Sequence, residues 1–522
     1  VLVALGIFVS RVAGLVREAV FNHYFGLSAY ADVFRAALRL PNLVQNLLGE
    51  GTLSASFIPV YARLNAEGRT DEARRLAGTV LAGLTALAAV AVLVGELLAP
   101  WIVAIFLPGF EGVRYDATVD AVRVLFPMTG VLVVSAWALG ILNSHRTFFL
   151  PYVAPVMWNV AIVAALVVGG EALGLDARAH VLFTAWGALV GALLQLAVQV
   201  PTVLRLVPGV RPAWATSDAG VREVVRTAGP AVFGRGVVQI GGYLDQVLAS
   251  WLATGAVAAI GSAQILYMLP ISLFGMAVAA AELPEMASAR ADVLVGRVRS
   301  ATARVAYFVV PSVAMFFVAG DTIVGALFER GAFTATDSRV VWWVLGGYSV
   351  GLLASATSRT LSSASYALGD SKAPARAATV RVISSAVLGL VFMASLEPIP
   401  GLGWATAPLA GWTVDGRPLG AAGVTLGTGV AAWMEWWLLR RSLAARLGAI
   451  GLGAGAWVRL IGVAALAGTA AAFVRALVAG VHPMIAVVPV VGAFALVWGA
   501  GTFALGVPEA RALAARLTRR RR

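Results

Sequence analysis

The chain has 522 residues, 60% of them hydrophobic and only 12% charged, with a mean hydropathy of +0.86. That composition excludes a soluble globular domain and a disordered chain, and predicts an all-α polytopic membrane protein. The formal net charge of +13 follows from arginines gathered in the loops on one side of a membrane and needs no nucleic acid. The absence of cysteine excludes disulfides and thiolate metal sites.

The first two spans, near 1–24 and 29–62, are unusually charged: they carry Arg11, Arg17, Glu18, Asp32, Arg35, Arg39 and Glu50. Arg11 and Arg17 interrupt the first apolar segment, which therefore reads as a span and not as a cleavable signal. An ionised side chain at membrane depth costs roughly 2.5–3.5 kcal/mol on insertion scales, so such charges pair, face water or hold a ligand. Asp32, Arg35, Arg39, Asn42 and Asn46 step by three and four, which places them on one helical face. Pro41 predicts a break in that helix. Broken helices with inward charges are how transporters build sites near the midplane.

Further spans are predicted near 76–107, 118–143, 150–170, 180–207, 226–254, 257–288, 302–325, 340–369, 375–396, 420–445, 455–479 and 483–506, about fourteen in all for a bilayer of ~30 Å. An even count puts both termini on one side. One set of loops holds most of the arginines, from Arg63, Arg69, Arg74 and Arg75 through Arg297, Arg299, Lys372 and Arg381 to the tail. The other set holds only Arg114, Arg178, Arg330, Arg339, Arg417 and Arg475. That asymmetry predicts cytoplasmic termini. The arginine-rich tail reads as an anchor to anionic lipid at the cytoplasmic surface. In the long outer connection 397–419, Trp404 and Trp412 are expected at the headgroup level.

Other polar residues stand inside apolar spans. Arg235, Gln239 and Gln246 recur on one face of the seventh span, with Asp245 to the side. Arg235 fits a ligand-binding role or a structural neutralisation of a neighbour. Arg359 is a deep cation of the tenth span. Arg123 reads as snorkelling outward, Asn159 as a bond to a neighbouring helix, and Glu435 as half of an ion pair near the cytoplasmic edge. The four histidines are dispersed without metal-ligand spacing, so no metal site is expected.

The motif SRVAGLVREAV, then AD-x-F, then LPN followed by EG-x-x-S-x-x-F-x-P-V-Y, resembles the opening of the MurJ (MviN) family of lipid II flippases, within the multidrug/oligosaccharidyl-lipid/polysaccharide exporter superfamily. GPAVFGRGVVQIGGYLDQVLASWLATGAVAA, LFERGAFTATDS and YALGDSKAP extend the resemblance over nearly the whole chain, with 397–419 as an apparent insertion. The resemblance implies two six-helix lobes, 1–208 and 209–447, around a central cavity. It adds a lipid-tail groove from the last two spans, 448–506, and a basic cytoplasmic tail, 507–522. Carried over by position, Arg11, Arg17, Asp32, Arg39 and Arg359 match charged substrate-facing positions, and Arg35 joins them on the helical face. Gln45 stands where the family has a cation, Gln264-Ile265 stand where it has an Asp-Arg pair, and Arg235 is a candidate replacement for one lost charge. Asp245 matches an acidic position that some members use for sodium, with Ser385 and Gly389 at the nearest eleventh-span ligand positions.

These readings predict a transporter with no catalytic residues, no cofactor, and coupling to sodium or to the membrane potential. Its substrate is expected to be a polyprenyl-diphosphate-linked glycan, lipid II, carried across a bacterial cytoplasmic (inner) membrane by a monomer among membrane lipids. Guanidinium groups match phosphate oxygens through bidentate hydrogen bonds and stay charged. A flippase for another polyprenyl-linked oligosaccharide is the nearest alternative. A multidrug antiporter fits less well, because cationic drugs need acidic, aromatic cavities. An integral-membrane lipid-modifying enzyme would need a positioned base, nucleophile or metal motif, which the chain lacks. A non-transporting scaffold is opposed by the surviving charges.

Overall fold

The computed structural model describes residues 2–147, 149–276, 278–279, 282, 285–286, 291–399, 412–448 and 450–519. The chain packs as two units, Val1–Ala258 with Arg330–Phe333, and Ala259–Glu329 with Thr334–Arg522.

The first unit contains α1 (Leu2–Phe25), α2 (Ala29–Leu48), α3 (Glu50–Ala66), α4 (Thr70–Leu97), α5 (Ala99–Phe106) and α6 (Gly112–Ser144). After these come α7 (Phe149–Val167) with a π turn at Val168–Ala172, α8 (Ala177–Leu206) and α9 (Ala219–Ser250). The seventh predicted span, α9, thus groups with the first six, whereas the family resemblance began the second lobe at 209. Beyond Gly255 the chain enters α10 (Ala256–Pro270), which continues as a π turn at Ile271–Met276. Next are α11 (Ala291–Phe328), α12 (Ala335–Val350), α13 (Leu352–Ala367), α14 (Lys372–Leu396), α15 (Gly420–Leu447), α16 (Ala454–Leu477), α17 (Pro483–Ala504) and α18 (Pro508–Arg519).

Within the described residues, each predicted span falls mainly on helix. Among the described residues, ten helices are long and apolar enough to cross a membrane. The predicted spans outside those ten are α1, with three charged residues in its apolar stretch, and the α2–α3 pair, α9 and α15, whose charged, polar or glycine residues lower their hydropathy. In the first unit, Phe57 and Tyr61 of α3 pack with Trp137 and Ile141 of α6 in one apolar cluster. The Trp137 indole satisfies its N–H on the Ala77 carbonyl at 3.0 Å, as a buried indole must. In the second unit, Tyr307 of α11, Val463 of α16, and Phe494 and Trp498 of α17 form another cluster, so the last two spans pack against α11.

One prediction of local structure is corrected. The helix does not break at Pro41: α2 runs through it, and the interruption falls at Gly49, between α2 and α3. The first helical turn past Pro41 is retained because neighbouring helices can stabilise a proline-bearing membrane helix. Gly49 is suited to the break, because a Cβ there would meet the Gln45 carbonyl oxygen at 2.4 Å.

The α14–α15 pair is closely apposed through small residues. A Cβ on Gly427 would lie 2.3 Å from the Gly389 backbone nitrogen, and one on Gly423 2.7 Å from that of Met393. This is the small-residue packing that lets membrane helices approach without a hydrophobic driving force. Gly427→Val is therefore expected to destabilise the second unit by about 1–3 kcal/mol through overpacking. Thermal unfolding in detergent checks this; an unchanged transition would show that the helices part freely.

Two motifs acquire local explanations. In LFERGAFTATDS, Thr334 and Asp337 form a reciprocal capping box at the start of α12, and the Ala332 N–H donates to the His23 carbonyl at 2.7 Å. In YALGDSKAP, Gly369 adopts φ +72° and Asp370 accepts the Lys372 and Ala373 N–H groups, each at 3.0 Å. Those bonds, with that from Ala373 foremost and Arg446 nearby, hold the Asp370 carboxyl below its ordinary range. Within 397–419, residues 400–411, including Trp404, lie outside those described. The remainder forms a hairpin, Thr413–Val414 against Arg417–Pro418, turned by Asp415 and Gly416 at positive φ. Arg417 pairs with Asp337 at 2.6 Å and Asp415 pairs with Arg339, which pins the hairpin to the start of α12. Trp412 is exposed.

Candidate functional site

The charged residues of α1 and α2 do meet. Glu18 of α1 is only 4% exposed. It pairs with Arg35 of α2 and with its neighbour Arg17, whose Nη2 stands 3.5 Å from a carboxylate oxygen. Arg35 also donates to Asn22 Oδ1 at 3.0 Å and lies over the Phe21 ring, 5.3 Å from its centroid. The Arg17 guanidinium lies 5.0 Å from the centroid of Trp158 on α7. Two cations therefore share one carboxylate, which leaves a net positive charge where the dielectric is low and an anion is attracted strongly. Arg35 is engaged on several sides, whereas Arg17 is held by one longer ion pair and a ring face. Its five N–H groups leave donors for a ligand.

Other expected site residues are placed differently. Arg39 is half-buried on α2, 5.4 Å from the centroid of the Tyr243 ring, and the Tyr243 hydroxyl donates to the Arg39 carbonyl at 2.7 Å. Arg11 is exposed on α1, two helical turns before Glu18. Asp32 is 0% exposed. Its two oxygens accept the Gly255 N–H at 2.7 Å and the Ala258 N–H at 2.8 Å, with Arg114 at 3.7 Å. The carboxylate thus caps the first turn of α10, where the unpaired amides favour a negative charge. In this arrangement each Asp32 oxygen accepts a backbone amide, a structural role that its position on the charged face of α2 did not reveal.

Gln45 borders a cavity of about 440 Å³ together with Asn46, Ser54, Ser135 and Gln195. Arg235 is on α9, and its side chain lies outside those described, as does that of Gln239. Asp245 is buried on α9 in the first unit. In the second unit, Gln264 is half-buried on α10 and Arg359 is exposed on α13. Ser385 is buried on α14 and shares a hydrogen bond of 2.8 Å with the Thr428 hydroxyl on α15.

The structure adds residues that the sequence reading missed. Trp158 and Tyr243 carry no charge pattern, so nothing in the linear chain marked them as cation partners. Arg114 had been counted as an outer-loop charge and instead turns inward to Asp32. Arg381 had been counted as a cytoplasmic loop charge; it lies inside α14 and pairs with Glu435 of α15 at 2.7 Å. Arg381 also donates to Ser355 at 3.2 Å, and Tyr267 donates to that hydroxyl at 2.9 Å. This supplies the partner that Glu435 was expected to have.

Comparison with known proteins agrees with this fold. The family model described as lipid II flippase MurJ matches residues 21–491. The lipid II flippase MurJ of Burkholderia cenocepacia is 31% identical over 440 residues, covering 82% of this chain and 80% of that protein. The probable lipid II flippase MurJ of Rhizobium tropici is 31% identical over 414 residues, covering 77% and 76%. Among solved structures, a lipid II flippase MurJ in an inward closed conformation superposes with a TM-score of 0.76 at 20% identity, covering 97% of this chain and 99% of that one. An inward-facing multidrug transporter of the MATE family follows the same fold less closely, with a TM-score of 0.63 at 16% identity over 84% and 95% of the two chains. With the family model matched over most of the length and relatives 31% identical across more than three quarters of it, this chain belongs to the lipid II flippase MurJ family, a family of membrane transporters and not of enzymes.

Proposed function

We propose that this protein moves lipid II, a polyprenyl-diphosphate-linked peptidoglycan precursor, from the cytoplasmic to the outer leaflet of the bacterial inner membrane by alternating access. Family membership supports the substrate, and the observation that carries the chemistry is the Arg17–Glu18–Arg35 cluster. It holds an excess positive charge at membrane depth, with guanidinium donors suited to phosphate oxygens. Arg11 and Arg39 extend the basic surface, and both termini lie in the cytoplasm by the loop-charge asymmetry. The polyprenyl tail is assigned to a groove of α16 and α17, and the membrane potential biases the charged carrier by about 2.3 kcal/mol per charge per 100 mV.

One observation favours a second reading. Gln45, where the family has a cation, borders a cavity whose polar lining among the described residues is neutral, which suits a different polyprenyl-linked oligosaccharide. The decisive experiment is complementation of a bacterial strain depleted of its own lipid II flippase. Growth is expected on expression of this chain. Insertion at normal levels without growth would reject lipid II as substrate, and flipping of another lipid-linked glycan in vesicles would then establish the second reading.

A further inference from the structure

The second unit holds a larger cavity of a different character. It measures about 630 Å³ and lies among Phe317 of α11, Trp343 and Val350 of α12, Phe392 of α14 and Leu426 of α15. The helices α11, α12 and α14 are among the spans apolar enough to cross a membrane. Phe317 and Trp343 are exposed, so the cavity opens toward lipid. Its polar groups are mostly spent internally. The Ser395 hydroxyl donates to the Val391 carbonyl at 2.8 Å, and the Trp342 indole N–H to the Phe316 carbonyl at 2.8 Å. Otherwise only the exposed indoles of Trp343 and Trp412 bring polar side-chain atoms to its lining. A sugar or a phosphate finds little to bond there, whereas hydrocarbon fits.

Depth and rim narrow the occupant. From Trp342 to Val350 the helix rises ~12 Å, a little less than half of the ~30 Å hydrocarbon core. That is the reach of one acyl chain within one leaflet. Tryptophans favour the headgroup level, and here they stand beside charges of both signs. Trp412 borders the cavity at the start of the hairpin, which the Arg417–Asp337 and Arg339–Asp415 pairs hold on α12. Arg475 of α16 stands 5.4 Å from the Trp342 ring centroid, donates to the Val318 carbonyl at 2.7 Å and pairs with Asp321. These six side chains carry three positive and three negative charges. A headgroup with a phosphate and an ammonium complements such a rim better than an anionic one does.

We propose that this cavity binds one acyl chain of a zwitterionic phospholipid, with the headgroup against the arginine–aspartate rim beside Trp412. The site is separate from the groove of α16 and α17 assigned to the polyprenyl tail, and it does not rest on the transport reading. With the termini in the cytoplasm, the lipid belongs to the outer leaflet.

Gly346 supplies the test. A Cβ there would meet nothing nearer than Phe317 Cε1 at 3.9 Å, whereas one on Gly347 would strike Thr425 Oγ1 at 2.2 Å. A leucine at 346 therefore fills the cavity without parting the helices. The full-length protein is reconstituted in vesicles of phosphatidylethanolamine and phosphatidylglycerol. A trace of phosphatidylethanolamine carries a photoreactive diazirine near the end of one acyl chain, and adducts are mapped by mass spectrometry. In the parent, adducts are expected to concentrate on Val350, Phe392 and Leu426. Gly346→Leu should lower them about ten-fold or more, because it excludes several methylenes, and leave other lipid-facing adducts unchanged. Ser395→Leu, on another wall, should do the same.

Adducts spread evenly over the lipid-facing helices, or unchanged in both variants, would overturn the proposal. So would a loss at every position in both variants, since a filled cavity removes only local adducts. Absence of cavity adducts in the parent would overturn it by showing that the chain itself fills the space. Equal labelling by a phosphatidylglycerol probe would reject the zwitterionic headgroup, and displacement by polyprenyl phosphate would give the cavity to an isoprenoid instead.

Discussion

Replacing Arg17 with alanine is expected to reduce lipid flipping to a small fraction of the parent rate, with lysine intermediate. The grading follows from chemistry. Lysine keeps the cation but loses the planar fork that meets two phosphate oxygens at once, and alanine loses both. Charge-assisted hydrogen bonds contribute roughly 1.5–3 kcal/mol each, enough for ten-fold weaker binding or more. Stability is a lesser concern at this residue, because Arg17 reaches Glu18 only at 3.5 Å, and Glu18 keeps Arg35 as its closer partner. The measurement is headgroup translocation in vesicles, using variants shown to be inserted and monodisperse. A well-folded Arg17→Ala protein that flips at the parent rate would make this residue scaffolding.

Glu18→Ala should act on the other side of the balance and unfold the protein more readily. Glu18 is the carboxylate shared by Arg17 and Arg35, and its removal leaves two nearly buried guanidinium groups facing each other. Breaking a buried pair from one side costs about 3–5 kcal/mol, mostly through the uncompensated charge that remains. Glu18→Gln keeps the shape and one acceptor, so it should cost less than alanine. The double variant Glu18→Ala, Arg35→Met removes the orphaned charge and should recover much of the loss. Unfolding transitions in detergent of the parent, Glu18→Ala, Arg35→Met and the double variant form the cycle. Additive losses with no recovery would show that Glu18 and Arg35 are not energetically coupled.

The two experiments separate roles that the linear chain leaves fused. Arg17, Glu18 and Arg35 are all charged residues in apolar helices, and helical spacing alone treats them as one group. Contacts distinguish them. Arg35 is shared among Glu18, Asn22 and the Phe21 face, while Arg17 has the longer ion pair, at 3.5 Å, and the Trp158 face. Asp32 shows the same principle in a stronger form. Its place on the charged face suggested ligand binding, yet its oxygens are committed to the Gly255 and Ala258 amides, which lie more than two hundred residues further along the chain.

What the sequence by itself determined is whatever depends on local composition and spacing. Hydropathy over windows of bilayer length placed the helices, since a membrane leaves the backbone no alternative to internal hydrogen bonding. The ordered motifs led to the family, and spacing by three and four put Asp32, Arg35 and Arg39 on one face. What only the tertiary structure decided depends on pairs distant in sequence. The chain break belongs to Gly49 and not Pro41, because neighbouring packing rescues a proline-bearing helix while a glycine admits the close backbone approach. Arg114 and Arg381 turned out to be partners of Asp32 and Glu435. An arginine side chain is long enough to reach a carboxylate on a neighbouring helix, and its residue number says nothing of which carboxylate is within reach. The cavity bordered by Gln45 is of the same kind. It takes side chains from α2, α3, α6 and α8, and no linear pattern joins them until the helices pack.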